Sequence, residues 1–332
     1  MIIDAHAHFY PPRFIEQFDS WKKYGFEVQR EVSGNRVLSR HGKLIAVYTD
    51  AFYSIDKRLE EMDKGRVDVQ ALSFVQPGIY WAEPEFGLSL CQLINDEMHQ
   101  IVKKYPSRFI GIAAVPLQDV DRAIQELERA VRHLECKGVG IGTTINEMDL
   151  DSQELFPFYQ KAEELSIPIL VHPFAWERDR ARLSPYYLET SVLGFMFENT
   201  IAILKVIFGG ILERYPNLRF SFAHLGGAVP YLIGRIEKAA ALRPQMCAKI
   251  SNLPSFYLRK MYIDTAYFYS PAILCALACI PEEQIIFGTD YPFPIGDPPE
   301  RAVSQMQQDT SLSESLKQKI MTNNPASFLD IR

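Results

Sequence analysis

The amino-acid sequence predicts an α/β protein folded as a single (β/α)8 TIM barrel that spans residues 1–332. Eight short apolar runs are spaced along the chain, and segments with helical apolar spacing separate them. Hydrophobic residues make up 47% of the chain and charged residues 23%, a composition that allows one large buried core. An open, doubly wound sheet stays possible, because the order of strands cannot be read from periodicity.

The predicted strands extend from the N-terminus almost to the end of the chain. They cover residues 1–8, 67–74, 109–116, 138–144, 167–172, 218–224, 261–267 and 285–290. Helices are predicted between them at 54–64, 121–135, 152–165, 198–215 and 313–324, where apolar residues recur three or four positions apart. Alternation of strand and helix in this way favours a barrel of parallel strands.

Residues 9–53 interrupt this alternation, because an ordinary connection from strand to helix has only about two to six residues. Two short stretches within them, 26–34 and 43–50, alternate polar and apolar residues and are separated by Gly and Asn. We predict that residues 9–53 form an inserted β excursion, similar to a hairpin, near the mouth of the barrel. They are not expected to be an independent domain.

Charge and cysteine content limit the partners of the protein. A net charge of -6 predicts no broad basic surface for nucleic acid or for an anionic membrane. The five cysteines are odd in number and lie in apolar surroundings, which favours reduced thiols over a disulfide framework. No basic leader or long uninterrupted apolar run is visible, so we expect a cytoplasmic protein.

The first predicted strand ends in the sequence IIDAHAHF, which places His6 and His8 one residue apart. Side chains at positions i and i+2 of a strand point to the same face, so the two imidazoles would lie side by side. This arrangement is typical of a chelating pair. The alternative is a half-buried strand whose polar face happens to carry two histidines.

Three more polar residues stand at the ends of predicted strands: His172, His224 and Asp290. Taken singly, each has an ordinary explanation, as a packed core histidine or as a helix cap. In a barrel, however, the carboxyl ends of all strands meet at the face where active sites form. The sequence therefore predicts that these residues and the histidine pair share one pocket.

These motifs resemble those of the amidohydrolase superfamily, and within it the decarboxylase branch typified by the aminocarboxymuconate-semialdehyde decarboxylases. The resemblance rests on the His-x-His pair and on the sequences LVHP, AHLGG and GTDYPFP, and it extends over nearly the whole chain. It implies that one divalent metal ion, zinc or alternatively manganese, is bound by His6, His8, His172 and Asp290. It further implies that His224 is an unliganded acid/base, with Asp290 also counted as catalytic.

The donor types are consistent with that assignment. Three imidazoles and one carboxylate suit zinc, and a further position would be left for water or substrate. The fourth predicted strand ends in threonines, without the lysine that bridges two metals in other members of the superfamily, so a single metal is expected. Such an ion can activate water or polarise a substrate oxygen, and an imidazole can move the proton near neutral pH.

The resemblance also implies a carboxylic acid substrate. Arg235 and Arg243 match arginines that bind substrate carboxylates in the resembled enzymes, where one of the pair reaches into the partner's site; a homodimer follows. Without the resemblance they would be two ordinary surface arginines. The excursion departs from the pattern, because Ile45 or its neighbour stands where the resembled enzymes have another arginine.

Two aromatic residues, Trp176 and Phe293, flank the predicted pocket and are expected to contact a planar substrate, although loop aromatics often serve packing alone. The leading hypothesis is a metal-dependent, oxygen-insensitive decarboxylase of a planar unsaturated or aromatic carboxylic acid. A metal-dependent hydrolase or hydratase, including one that hydrolyses carbon–carbon bonds, is the alternative. A non-catalytic, metal-stabilised scaffold is disfavoured, because the inferred site keeps an open coordination position.

Overall fold

Eight parallel strands form the centre of the molecule, as predicted. The computed structural model describes residues 1–174, 188–266 and 269–331. The barrel strands, which neighbour one another in chain order, are β1 (Ile3–His8), β5 (Val69–Ser73), β6 (Phe109–Ala114), β7 (Gly138–Gly142), β10 (Ile169–His172), β11 (Phe220–Phe222), β12 (Tyr262–Asp264) and β13 (Ile285–Ile286). Each pairs in parallel with the next, which confirms the predicted TIM barrel.

The barrel closes between β1 and the residues that follow β13; we call this junction, residues 3–8 and 287–291, the barrel seam. The backbone nitrogen of His8 donates to the carbonyl oxygen of Tyr291 at 2.8 Å. The carbonyl oxygen of His6 accepts from the nitrogens of Thr289, at 3.1 Å, and Asp290, at 2.9 Å. Backbone hydrogen bonds therefore join the first barrel strand to the residues after the last one in a fixed register.

Helices surround the strands. Their bounds are α1 (Pro12–Glu16), α2 (Ile55–Gly65), α3 (Pro84–Lys104), α4 (Val120–His133), α5 (Phe156–Glu164), α6 (Gly194–Phe208), α7 (Ile211–Arg214), α8 (Val229–Leu242), α9 (Pro254–Leu258), α10 (Ser270–Leu277), α11 (Pro299–Gln308), α12 (Glu314–Gln318) and α13 (Asn324–Phe328). In α4, the Asp119 side chain caps the first turn by accepting from the nitrogen of Arg122 at 3.0 Å, and Leu127 and Ala130 face the core. Of the helices in the described ranges, none has the length and apolar character to cross a bilayer.

The excursion forms a small antiparallel sheet of three strands, β2 (Phe26–Arg30), β3 (Arg36–Arg40) and β4 (Lys43–Tyr48). The sequence prediction of a hairpin missed β3. Arg36 and Arg40 at its two ends make this short segment look like a polar connection, and only its pairing with β2 and β4 identifies it as a strand. Aromatic packing joins this sheet to the barrel, since the rings of Trp21 and Phe26 lie 5.0 and 4.7 Å from the ring of Trp81. The two short strands β8 (Thr144–Ile145) and β9 (Met148–Asp149) form a separate ribbon after β7.

Glycine is required at position 288 of the barrel seam. A Cβ atom added to Gly288 would lie 2.6 Å from Cβ of His6 and 3.1 Å from Cβ of Asp264. We predict that Gly288→Ala lowers the free energy of unfolding by about 1–3 kcal/mol, because the methyl group overpacks the seam. Urea unfolding of the purified variant measures this change.

Gly140 provides the matched control within the same barrel. A Cβ atom there would have its nearest contacts at 3.7 to 3.9 Å, which is ordinary van der Waals distance. Gly140→Ala should therefore keep the stability of the wild type to within about 1 kcal/mol. Equal stability of the two variants would show that the seam has room for a side chain.

Candidate metal centre

Three histidines and one aspartate meet at the carboxyl-terminal end of the barrel strands. The potential ligand atoms of His6, His8, His172 and Asp290 all lie within 4.8 Å of one another. Oδ1 of Asp290 is 2.7 Å from Nε2 of His8, 3.2 Å from Nε2 of His6 and 3.6 Å from Nε2 of His172. All four side chains are buried, so their polar atoms face one another instead of bulk water.

The spacing of these atoms fits a divalent metal ion. Metal–nitrogen bonds of about 2.1 Å at angles of about 90–110° separate neighbouring ligand atoms by about 3.0–3.4 Å. Nε2 of His6 lies 3.0 Å from Nε2 of His8, and the distances of 2.7, 3.2 and 3.6 Å from Oδ1 of Asp290 to the three histidines bracket this range. Nε2 of His172 is buried and has no hydrogen-bond partner among the residues that the structure describes. A buried nitrogen without a partner is unfavourable unless something binds to it, so the residues present fit the metal that the sequence predicts.

Contacts at the opposite ring nitrogens orient the three imidazoles. Nδ1 of His6 lies 2.7 Å from Oδ2 of Asp264, and Nδ1 of His172 lies 2.8 Å from the carbonyl oxygen of Pro173. Nδ1 of His8 lies 2.9 Å from Oγ of Ser73, whose hydroxyl donates to a backbone oxygen and must accept from the ring. These partners place the protons on Nδ1 and direct the Nε2 lone pairs towards the centre.

The charges of the centre attract a cation. Burial lowers the pKa of His8 to about 3 and that of His172 to about 4, so both rings are neutral at physiological pH. Burial also opposes protonation of His6, but the carboxylates of Asp264 and Asp290 outweigh it and raise the pKa of His6 well above its usual value. Burial opposes ionisation of Asp290, but the histidines around its carboxylate outweigh this and hold the pKa of Asp290 well below its usual value. A metal ion at Nε2 of His6 would take the place of a proton.

His224 stands beside the four candidate ligands. Its Nε2 lies 3.7 Å from Oδ2 of Asp290. On the other side of the ring, the side-chain nitrogen of Asn199 lies 3.2 Å from Nδ1 of His224 and donates to the carbonyl oxygen of Ala223 at 2.9 Å. The backbone nitrogen of His224 donates to Oδ1 of Asp264 at 2.9 Å. The same carboxylate therefore positions both His6 and His224.

Left-handed backbone conformations orient two of these residues. The angle φ is 57° at His224 and 56° at Asp290, a region that residues other than glycine seldom adopt. Leu225, Gly226 and Gly227 continue the left-handed run after His224, with φ of 54°, 69° and 64°. The chain thus turns sharply where β11 and β13 end, and His224 and Asp290 meet at the same face of the barrel.

A cavity of about 240 Å³ lies over the centre. The ring of Phe293 is 5.3 Å from that of His8, and the ring of Phe195 is parallel to that of His224 at 6.0 Å, with an interplanar angle of 7°. Flat rings on two sides favour a planar ligand. The described lining residues are Leu44, Ile45, Ala46, Val47, Gln76, His172, Thr190, Ser191, Phe195, Asp290, Phe293, Pro294 and Ile295.

The residues predicted to bind substrate differ in where the structure places them. Arg235 is on α8 and Arg243 directly follows this helix; both are exposed, and neither is among the described residues that line the cavity. Phe293 lines the cavity. Trp176 lies outside the described residues.

Sequence reasoning missed several residues that contact the centre. Asp264 ends β12 as His172 ends β10, so its place at a strand end was a usable signal. Ser73 also ends its strand, but a serine at such a position is not distinctive. Asn199 stands between Glu198 and Thr200 on the mostly apolar helix α6, and Phe195 lies in the first turn of the same helix; neither pattern predicts a contact with His224.

Comparison with known proteins agrees with this geometry. The amidohydrolase family profile matches residues 3–331. The 2-amino-3-carboxymuconate-6-semialdehyde decarboxylase of Dictyostelium discoideum is 32% identical, over 99% of this chain and 91% of that protein. The gamma-resorcylate decarboxylase of Polaromonas sp. strain JS666 is 27% identical, over 81% of this chain and 85% of that protein.

A solved structure gives the same fold. The 5-carboxyvanillate decarboxylase from Sphingomonas paucimobilis superposes with a TM-score of 0.86 at 22% identity, covering 100% of this chain and 99% of that one. Fold, site geometry and sequence identity thus agree, and the resemblance noted in the sequence is confirmed. The chain belongs to the amidohydrolase family, in its decarboxylase branch.

Proposed function

We propose that this protein is a metal-dependent decarboxylase of a planar unsaturated or aromatic carboxylic acid. The observation that carries the proposal is the position of His224, whose Nε2 lies 3.7 Å from Oδ2 of Asp290 while the ring stays outside the cluster of candidate ligands. A proton-transfer group beside a candidate metal centre suits chemistry that replaces a carboxylate by a proton. The names of the relatives, decarboxylases of carboxymuconate semialdehyde and of resorcylate, support the same reaction.

His6, His8 and His172 through Nε2, and Asp290 through its carboxylate, would hold one metal ion. We propose zinc, because imidazole and carboxylate ligands in a compact buried site suit it, with manganese as the alternative. When bound, the ion supplies a Lewis acid that polarises a substrate oxygen.

The residues of the chain account for the remaining steps. Phe293 and Phe195 would hold the substrate plane beside the centre, and the largely apolar lining would limit the access of water to the reacting carbon. His224 would deliver a proton from Nε2 to the carbon that carries the carboxylate. The new carbon–hydrogen bond forms from π electrons at that carbon, and when the bond to the carboxylate breaks, its electron pair restores the π system and carbon dioxide leaves. The conjugated system of the substrate spreads the developing charge, which is why a planar acid is required.

The excursion defines the far wall of the site. The β4 side chains of residues 44–47 that line the cavity are all apolar. We propose that the excursion acts as part of the single domain by supplying this wall. An uncharged edge of the substrate would face Ile45, because a second carboxylate there would be desolvated without a partner from β4.

We propose a homodimer that buries the exposed face of α8 and α10. Tyr231 of α8 is 83% exposed and Leu274 of α10 is 43% exposed. Exposed apolar side chains of this size are suited to a contact between subunits. Arg235 is four residues from Tyr231 on the same helix face, so it would point towards the partner. Arg235 and Arg243 would then bind the substrate carboxylate through bidentate guanidinium contacts.

The first prediction of this subsection concerns metal content. Purified protein should contain about one divalent ion per chain, and the double variant His6→Ala/His8→Ala should lose it, because two of four ligands are removed. Elemental analysis measures the ion and decides between zinc and manganese. His133→Ala, which removes an exposed histidine of α4, is the control and should keep the metal. Two ions per chain, or undiminished metal in the double variant, would contradict the proposed centre.

The second prediction concerns His224. Wild-type protein should release carbon dioxide from at least one aromatic or muconate-type acid, and His224→Ala should lower turnover by at least about a hundredfold. Metal content and thermal stability should remain close to those of the wild type, because His224 is not a ligand. Loss of metal in proportion to activity would instead make it one. Products that have gained water without losing carbon dioxide would identify a hydratase or hydrolase.

The third prediction concerns the two arginines. Arg235→Ala or Arg243→Ala should cost about 2–5 kcal/mol in kcat/KM, since a substrate carboxylate would lose its partner. Arg132→Ala, an exposed arginine on α4, should leave the kinetics unchanged. If Arg235 serves the partner's site, inactive His224→Ala and Arg235→Ala proteins should recover activity when their subunits are exchanged, because a hybrid dimer contains one intact site. No recovery despite demonstrated exchange would refute the shared site.

A further inference from the structure

A buried polar network lies beneath the candidate metal centre without contributing a ligand to it. It consists of Asp4 on β1, Gln70 on β5 and Arg58 on α2, all with 0% exposure. Nε2 of Gln70 donates to Oδ2 of Asp4 at 2.8 Å, and its Oε1 accepts from the Arg58 guanidinium at 2.6 Å. One amide therefore links a buried carboxylate to a buried guanidinium. We call these three residues the Asp4–Gln70–Arg58 network.

The carboxylate end of the network spans the barrel seam. Oδ1 of Asp4 accepts from the backbone nitrogens of His6, at 3.2 Å, and Thr289, at 3.1 Å. Oδ2 also accepts from the hydroxyl of Thr289 at 2.7 Å. His6 is a candidate ligand, and Thr289 directly precedes the candidate ligand Asp290. A single carboxylate thus holds two ligand-bearing segments, one of them through Thr289, which lies 285 positions from Asp4 along the chain.

The guanidinium end reaches the same two segments. Arg58 donates to the carbonyl oxygen of the candidate ligand His8. Its guanidinium carbon lies 4.9 Å from the ring centroid of Tyr291, which directly follows Asp290. Both ends of the network therefore contact the backbone or the neighbours of His6, His8 and Asp290.

Stability alone does not explain this arrangement. Removing two ions from water is unfavourable, and apolar side chains of similar volume commonly fill such a space at least as well. Asp4 and Arg58 are joined through Gln70 and do not form a direct ion pair within the described residues. What the network provides, and apolar side chains would not, is a set of directional hydrogen bonds to both sides of the seam.

We propose that Asp4, Gln70 and Arg58 are positioning residues for the metal centre, which set the distance between the His6–His8 pair and Asp290. This inference rests on the proposed metal site. Ligand atoms must lie at the spacing that the ion requires, so an error in the register of the seam weakens every bond to the ion at once. Metal affinity accordingly depends on three residues that do not touch the metal.

The central test is Asp4→Asn, which preserves shape but replaces an acceptor oxygen by a donor. Each oxygen of Asp4 accepts from two donors, so two of the four donors would then face an amide N–H. We expect the zinc dissociation constant, measured by competition with a chelator, to rise about 10- to 100-fold, the range typical for loss of an outer contact. The electronic spectrum of the cobalt-loaded variant should also shift, because the ligand geometry changes.

Asn95→Ala is the matched control for a loss of stability alone. Asn95 is 1% exposed, donates to the carbonyl oxygen of Ala114 at 2.9 Å and accepts from its nitrogen at 2.8 Å, and its side-chain hydrogen bonds in the described residues involve no candidate ligand and no member of the Asp4–Gln70–Arg58 network. The Asn95→Ala variant should have a lower unfolding midpoint, while its zinc dissociation constant stays within about twofold of the wild type. An Asp4→Asn protein that also keeps wild-type zinc affinity and cobalt spectrum would overturn the proposal.

Gln70→Met provides a second variant if Asp4→Asn does not fold. It keeps the length of the side chain and removes both hydrogen bonds, so it separates the two charges of the network. Zinc affinity should again fall at least tenfold; wild-type affinity in this variant would overturn the proposal. Failure of the metal site itself looks different, because wild-type protein would then bind no zinc in the same assay.

Discussion

Closure of the barrel at the seam is the constraint on which the rest of the structure depends. A few backbone hydrogen bonds between β1 and residues 289–291 bring the side chains of His6 and His8 against that of Asp290. Because these bonds are directional, the register of the seam fixes the spacing of the candidate ligands. The strands between these two segments position His172 and His224, but the seam determines the width of the pocket that they enter.

A cluster of buried ligand groups is unfavourable by itself, so the surrounding residues must maintain it. Asp264 bonds the ring of His6 and the backbone of His224, and a serine hydroxyl and a backbone carbonyl orient the other two histidines among the candidate ligands. These contacts fix tautomers as well as positions. The imidazoles therefore reach the folded state already oriented towards a cation, and little reorganisation is needed on binding.

Much of the fold and of the candidate site could be predicted from local patterns. Runs of β-branched residues identify barrel strands, and a histidine at the end of such a run must lie near the others once the barrel forms. Contacts between distant parts of the chain leave no local pattern. Arg58 looks like a surface residue of an amphipathic helix, and Asp264 meets His6 across 258 positions. Sequence periodicity indicates which face of a helix or strand is apolar. It does not indicate which polar side chain from another helix or strand will contact that face.

The left-handed backbone at His224 and Asp290 has a consequence for how this site can evolve. Each such conformation costs about 1–3 kcal/mol in a residue with a side chain, and asparagine or glycine would adopt it more easily. Selection for stability alone would therefore favour asparagine or glycine over the candidate proton carrier His224 and the candidate ligand Asp290. If histidine and aspartate are kept at these positions, the requirement of the reaction outweighs the cost in stability, and the large barrel core compensates for that cost. In a lineage that no longer used the reaction, these two positions should be among the first to drift.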